Sequence, residues 1–311
     1  MNKIFTVFLT TLLFAQIDFP GDKAVRKGVH AFYNYETADA IVILDIARKD
    51  YPENPTVHLT WAAAKWLHNQ ANATVEQTYI DLENDLKEVI PVYEALVEKN
   101  PNDPNYQLYL GSATGLMARI YLGKKEWLNT LNWAYSGFRV IQKVEEEHPE
   151  IVDASLPIGI VEYYAGLSNV LIQWGASLLG LDPSRGRGLS KIERAANDGP
   201  WSWIEGKGIS SFLYLWVDVD PEKAMIHSGE LVNSFPRNFY FRILYTESLI
   251  RCGKMNTALT SLNELEKMIP SLTLTQQKWY HSYLQYQFAL YHFTNRNLEK
   301  AQLHIDDAVE N

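Results

Sequence analysis

Polar and apolar positions along this chain recur at helical spacing over most of its length. Between Thr37 and Lys49, Ala40, Ile43, Leu44 and Ala47 stand at i, i+3, i+4 and i+7, while Asp39, Asp45, Lys49 and Asp50 fall elsewhere. That pattern predicts a helix buried along one face. A further helix opens at Pro55 and passes through Trp61, Trp66 and Leu67; after the polar gap His68–Thr74, a long helix is expected from about Val75 to Lys99. Pro101 and Pro104 start the next pair, which ends at His148-Pro149, because proline suits a helix's first turn and breaks its interior. Pro157 opens an apolar run from Ile158 to Leu181 that carries Glu162 and is broken by Gly159, Gly166, Gly175 and Gly180. A charge and four breaks argue against a membrane span. Asp182-Pro183-Ser184 is expected to cap a helix running to Ala196, and Asn197-Asp198-Gly199-Pro200 reads as a turn. Strand-type alternation is scarce, and the strand-like stretch Phe212–Val219 lies where the helical period continues.

A longer period overlies this one. Gly28, Ala40, Ala47 and Pro52 stand 12, 7 and 5 residues apart. Ala224 and Pro236 recur 34 residues later as Ala258 and Pro270, and Ala289, Ala301 and Ala308 repeat the 12-and-7 step. This spacing resembles the tetratricopeptide repeat, a pair of antiparallel helices, A and B. Small side chains at the crossings let helices approach near the short end of roughly 8–10 Å, and proline then stops helix B. The resemblance implies an all-α fold: a TPR-like α-solenoid of antiparallel helix pairs wound as a right-handed superhelix. One domain is expected over 16–311, with regular repeats near 21–54, 205–238, 239–272 and 282–311. Expanded pairs are expected at 55–101 and 102–149, and an apolar glycine-rich insert at 156–200. The register is incomplete, with Phe212 and Leu231 in the small slots of one repeat and Thr246 and Leu265 in those of the next.

The stretch Tyr163-Tyr164-Ala165-Gly166, the apolar run to Leu181, then Asp182 to Arg187-Gly188-Leu189 resembles the middle of the tetratricopeptide repeat protein 39 group. Those eukaryotic proteins are related to a mitochondrial outer-membrane and inclusion-clearance protein. This second resemblance reaches through the Ala224–Pro236 and Ala258–Pro270 repeats. It implies a non-enzymatic repeat architecture and brings roles at membranes or lipid bodies within reach. The chain departs from the group in its Leu181–Arg185 loop, in its shorter length and in its N-terminal segment.

Composition narrows the class. With 311 residues and 47% apolar content, there is material for a large core and none of the signature of a disordered chain. Met-Asn-Lys followed by the uncharged run Ile4–Phe14 and Ala15-Gln16 reads as a signal peptide over 1–15, with a buried N-terminal helix as the alternative. No cysteine follows that run, so a lipoprotein anchor is not expected. The expected location is an exported compartment (periplasm or cell envelope in a bacterium), soluble or peripherally attached to a membrane. Cys252 is the single cysteine, so no internal disulfide forms. A net charge of −9 without a basic cluster argues against nucleic-acid partners.

Candidate chemistry is thin. There is no His-Glu-x-x-His, cysteine pair, Gly-x-Ser-x-Gly or phosphate-loop pattern, so no catalytic residue, metal or cofactor is expected. His58 and His68 are poorly placed to share a ligand. Glu146, Glu147, His148 and Glu150 read as a solvated helix end, and Asp81, Asp85 and Glu88 as a solvated flank. Arg185-Gly186-Arg187-Gly188 reads as a turn with exposed arginines, with anion binding as the alternative. The leading reading is a non-enzymatic scaffold whose A helices line a concave groove. Counted from the repeat starts, its candidates are Val25, Val29 and Phe32; Tyr240, Ile243 and Glu247; and Tyr283, Tyr286 and Leu290. These are mostly apolar, which favours a hydrophobic protein or peptide segment. The lysine–asparagine clamp of chaperone-binding members of the repeat family is missing there. Two alternatives remain: glycan binding, using Trp201, Trp203 and the tyrosines, and a membrane- or lipid-associated adaptor. The last helix ends shortly after Ala308 without a polar cap, which predicts a homodimer or a docked partner at the C-terminal repeat.

Overall fold

A computed structural model describes residues 19–168, 180 and 182–310. The expected signal segment 1–15 and most of the run 169–181 lie outside the described residues. Among the described residues there are fourteen α-helices, two short 3-10 turns and no strand. The helices form seven antiparallel pairs, each packed on the next. They are α1 (Asp22–Tyr33) with α2 (Thr37–Asp50), α3 (Val57–Asn72) with α4 (Val75–Lys99), and α5 (Pro104–Gly123) with α6 (Trp127–Glu147). Next come α7 (Ser155–Leu167) with α8 (Arg185–Asp198) and α9 (Trp203–Trp216) with α10 (Pro221–Ser234). The last two pairs are α11 (Phe239–Arg251) with α12 (Met255–Met268) and α13 (Leu274–Thr294) with α14 (Leu298–Glu310). The architecture is an all-α solenoid. The segment 156–200 contains α7 and α8, which pack as a pair like the others, and the boundary at 282 falls inside α13.

Close approach explains the small residues. A Cβ on Gly28 would lie 2.5 Å from Leu44 Cγ, so α1 and α2 touch through the missing side chain. Ala40, Ala47, Ala224 and Ala258 are almost wholly buried. Thr246 is a fitting substitute, since its hydroxyl lies 2.7 Å from that of Ser261 on α12. Phe212 does not fill the small slot assigned to it. Four residues (217–220) link α9 to α10, where three link α1 to α2 and α11 to α12. The extra residue moves the contact to the buried Ser211, whose hydroxyl lies 3.5 Å from Ala224 O. Phe212 is left facing a groove.

Within several pairs, helix A ends on a residue in the left-handed region: Tyr35 (φ 63°), Lys125 (φ 62°), Val219 (φ 54°), Gly253 (φ 69°) and Arg296 (φ 59°). At the first of these turns, Glu36 N donates to Ala31 O, capping the orphan carbonyls of α1. Only one of the five is glycine, so the other four carry the steric cost of a Cβ there.

The acids of α4 are not simply a solvated flank: Asp85 is buried, while Glu88 stays exposed but paired. Lys65 pairs with the buried Asp85, Asn69 donates to Asp81 over 3.0 Å, and Arg48 meets Glu88 at 2.6 Å. From this 25-residue helix, packed on α3 and α5, the three acids reach basic and amide groups on α2 and α3. The arginines opening α8 are paired as well, Arg185 with Asp218 and Arg187 with Asp182.

The array returns to its own beginning. Asn238 Nδ2 donates to Tyr33 O over 2.8 Å, and Arg237 pairs with Glu36 at 2.7 Å. The hydroxyls of Tyr35 and Tyr280 lie 2.6 Å apart, and Thr273 Oγ1 donates to Ala71 O over 2.8 Å. Val29 and Tyr33 pack on the core cluster that includes Ile204, Phe235 and Phe241. The first pair therefore closes against the fifth, sixth and seventh. Among the described residues, this closure leaves a central cavity and a separate groove.

Candidate functional site

The central cavity has a volume of about 480 Å³ and is walled by the A helices α1, α3, α5, α7 and α9. Its lining runs along α3 from Thr56, just before that helix, to Gln70, roughly 20 Å of helix at 1.5 Å per residue. Most of the wall is apolar, with Val29, Leu59, Leu67, Ile160 and Ile209 among its residues and the rings of Phe32, Trp66, Tyr109 and Trp201. Such a hollow, carrying a few convergent polar groups, is the usual form of a small-ligand site.

At one end a network fixes Asp153. Its Oδ1 accepts from Trp201 N (3.1 Å), Ser202 N (2.8 Å) and Ser202 Oγ (2.7 Å). Arg26 lies 4.1 Å over the Trp201 ring and donates to Pro200 O. Burial raises the Asp153 carboxyl above its ordinary range, and these donors with Arg26 partly offset the shift.

Glu205 differs in having almost no partners. Its Oε1 accepts from Tyr33 Oη at 2.5 Å, and no Lys, Arg or His among the described residues pairs with it. Protein atoms surround the carboxyl closely, yet the residue is exposed, because it faces the cavity. Burial pushes its pKa up, and the Tyr33 bond opposes this. The Tyr33 hydroxyl is held well above its usual value, first by burial and then by the neighbouring carboxyl.

The second hollow, of about 560 Å³, lies between α9, α11, α13 and α14. Phe212, Trp216, Tyr240, Tyr283 and Tyr286 line it, each at least 36% exposed, with Ile305, Ala308 and Val309 on the α14 wall. Beneath them Glu247 is wholly buried, paired with Arg251 at 2.7 Å and accepting from Gln287 over 2.9 Å. Burial raises Tyr240 to about 12, with Tyr283, Tyr280, Glu205 and Tyr164 near enough to add to the shift. One face of α9 serves both hollows: Glu205 and Ile209 line the cavity, Phe212 and Trp216 the groove.

The nine groove candidates thus separate. Tyr240, Ile243, Glu247, Tyr283 and Tyr286 come together at the groove. Val29 and Phe32 line the central cavity, whereas Val25 is fully buried and lines neither hollow. Leu290 lies at the end of the array in a third hollow with Phe293, Leu298 and Ala301. Sequence reasoning missed Glu205, Tyr33 and Asp153. The available signal was Glu205 at the start of the 205–238 repeat, the one regular repeat that contributed no groove candidate. The tryptophans expected to stack on sugars are engaged within the chain: Trp201 under Arg26, and Trp203 on Phe235 with centroids 5.8 Å apart. Among the described residues no three His, Cys, Asp or Glu side chains converge as a metal would require, and no helix is long and apolar enough to cross a membrane.

No family model matches the chain, and no curated protein matches it in sequence. Among solved structures it is similar to a tetratricopeptide repeat protein from Parabacteroides merdae, at 12% identity over 93% of this chain and 92% of that one, with a TM-score of 0.34. A score this low carries no weight for function, which has to be argued from the geometry.

Proposed function

We propose that the protein is a non-enzymatic binding scaffold that receives a hydrophobic segment of another protein in the groove between α9, α11, α13 and α14. The observation that supports this is the convergence of Phe212, Trp216, Tyr240, Tyr283 and Tyr286 from three successive A helices on one open hollow. Aromatic side chains give large contact areas at low entropic cost, and they dominate the energetics of protein interfaces. The facing wall of Ile305, Ala308 and Val309 is apolar, and Val309 is 81% exposed. A peptide helix with apolar anchors at i, i+3 and i+4 matches such a groove. Export through the N-terminal segment, which would place this scaffold in a cell envelope, belongs to the same proposal.

A displayed library of random peptides tests the groove. The native protein is expected to enrich sequences with paired apolar anchors, and the Tyr283→Ala, Tyr286→Ala double variant to lose them. Both side chains are partly exposed, so the variant is expected to keep its helical circular dichroism. Enrichment that survives the double substitution, or no enrichment at all, overturns the reading.

A further inference from the structure

We propose that the central cavity is a second binding site, specific for a small organic cation with an apolar body, whose ammonium group is held by Glu205. The inference is independent of the groove, which shares helix α9 with the cavity but none of its lining residues.

The charge balance of the cavity points to a cation. Two carboxyls line it, those of Glu205 and Asp153. Asp153 has three donors, all on Oδ1, and Arg26 near enough to favour its charge. Arg26, whose charge favours the ionised form of Asp153, is occupied by Pro200 O and the Trp201 ring. Glu205 has only the Tyr33 hydroxyl, on one oxygen, and its other oxygen accepts from no group among the described residues. An accessible carboxyl facing an apolar hollow, with a spare oxygen and no counter-charge, offers a cation an unmet acceptor. A ligand ammonium would supply both the counter-charge and the missing donor. An anionic ligand would instead meet two carboxyls, with Arg26 already occupied.

The walls define the rest of the ligand. The rings of Phe32, Tyr33 and Tyr109 line the same space as Glu205, and aromatic faces attract organic cations in dry surroundings. The chain already makes such contacts in these walls, with Arg26 over Trp201 at 4.1 Å and Arg119 over Trp66 at 5.0 Å. Away from Glu205 the lining is Leu59, Ala63, Leu67, Ile160 and Ile209, which suits an alkyl or aryl body. A metal ion fits poorly, because one free carboxylate oxygen in an apolar wall does not furnish a coordination sphere.

The test is a matched series of ten-carbon probes, n-decylammonium, n-decanol and n-decanoate, titrated calorimetrically against the full chain below their micellar concentrations. Decylammonium is expected to bind at least tenfold more tightly than either analogue. Glu205→Gln is expected to remove that preference while leaving decanol binding unchanged, and its circular dichroism and melting temperature report whether it folds. Ala63→Trp, which fills the cavity from a different wall, is expected to abolish binding of all three. The Tyr283→Ala, Tyr286→Ala variant is expected to bind decylammonium as the native chain does, so this proposal and the groove reading fail separately. Equal affinity for decanol or decanoate, a preference that persists in Glu205→Gln, or no binding of any probe would overturn the assignment.

Discussion

Two glycines in one helix, two residues apart, give a sharp test of how the pairs are held together. A Cβ on Gly188 would lie 2.4 Å from Tyr163 N, 2.6 Å from Gly159 O and 2.7 Å from Tyr163 Cα. All three are backbone atoms of α7, so no side chain can swing aside to accommodate it. A Cβ on Gly186 would meet nothing within 4 Å. Alanine improves a helix by about 1 kcal/mol over glycine in mid-helix, and by less in the first turn, where Gly186 lies. Gly186→Ala is therefore expected to stabilise by about 0.5 kcal/mol. Gly188→Ala gains the same kind of propensity term but must push α7 and α8 apart by about 1 Å to reach ordinary contact distance. A gap of that size forfeits a quarter to a half of each dispersion contact across the interface, here the packing of Leu156 and Tyr163 on Ile192 and Ala195. Overpacking of this kind costs about 1–3 kcal/mol, and with the immovable backbone the upper end applies. The two variants are expected to differ by about 3 kcal/mol, or roughly 5 °C in melting temperature for a chain of this length. Thermal unfolding followed by circular dichroism gives the comparison. Amide exchange in α7 and α8 shows whether the loss is local, as a one-dimensional array predicts. If Gly188→Ala melts with or above Gly186→Ala, the close-approach account of these crossings is wrong.

Two further outcomes follow from the geometry. Lys125 and Arg296 are exposed and hold φ near +60° at the ends of α5 and α13, so Lys125→Gly and Arg296→Gly should each stabilise by about 1 kcal/mol in urea unfolding; a loss at both sites would contradict the strain argument. Burial raises the folded pKa of Glu205 above its unfolded value. The folded state therefore keeps a proton that the unfolded state has released, and stability falls as pH climbs from the unfolded pKa through the folded one. Glu205→Gln should melt higher than the native chain at pH 8 and equally at pH 4, and a difference independent of pH would count against this assignment.

Much of the array was legible in the chain because helix pairing is a local matter. The apolar face of residues 37–49, the prolines at 104 and 149 and the serine cap at 184 mark helices by rules that act over a few residues. The structure places the corresponding elements at Thr37–Asp50, Pro104–Gly123 and Arg185–Asp198. Where the reading slipped, a local count was upset by one residue or by a distant partner. The four-residue link before α10 moved the close contact from Phe212 to Ser211. The acids of α4 looked solvated because Arg48, Lys65 and Asn69, which receive them, lie on the two preceding helices. Tyr240, Tyr283 and Tyr286 meet at one groove because they sit on consecutive A helices; Val25, Val29 and Phe32 belong to the pair that the closure buries.

By itself the sequence determined the class and the unit: small residues and prolines at fixed offsets specify antiparallel helix pairs whatever lies beyond them. Only the tertiary structure decided that the array closes, that the first pair occupies part of its own concave side, and that Glu205 is left facing a cavity. Tyr33 and Glu205 are 172 residues apart in the chain. Their meeting depends on small rotations that accumulate from pair to pair, and no local pattern of polar and apolar positions encodes that sum.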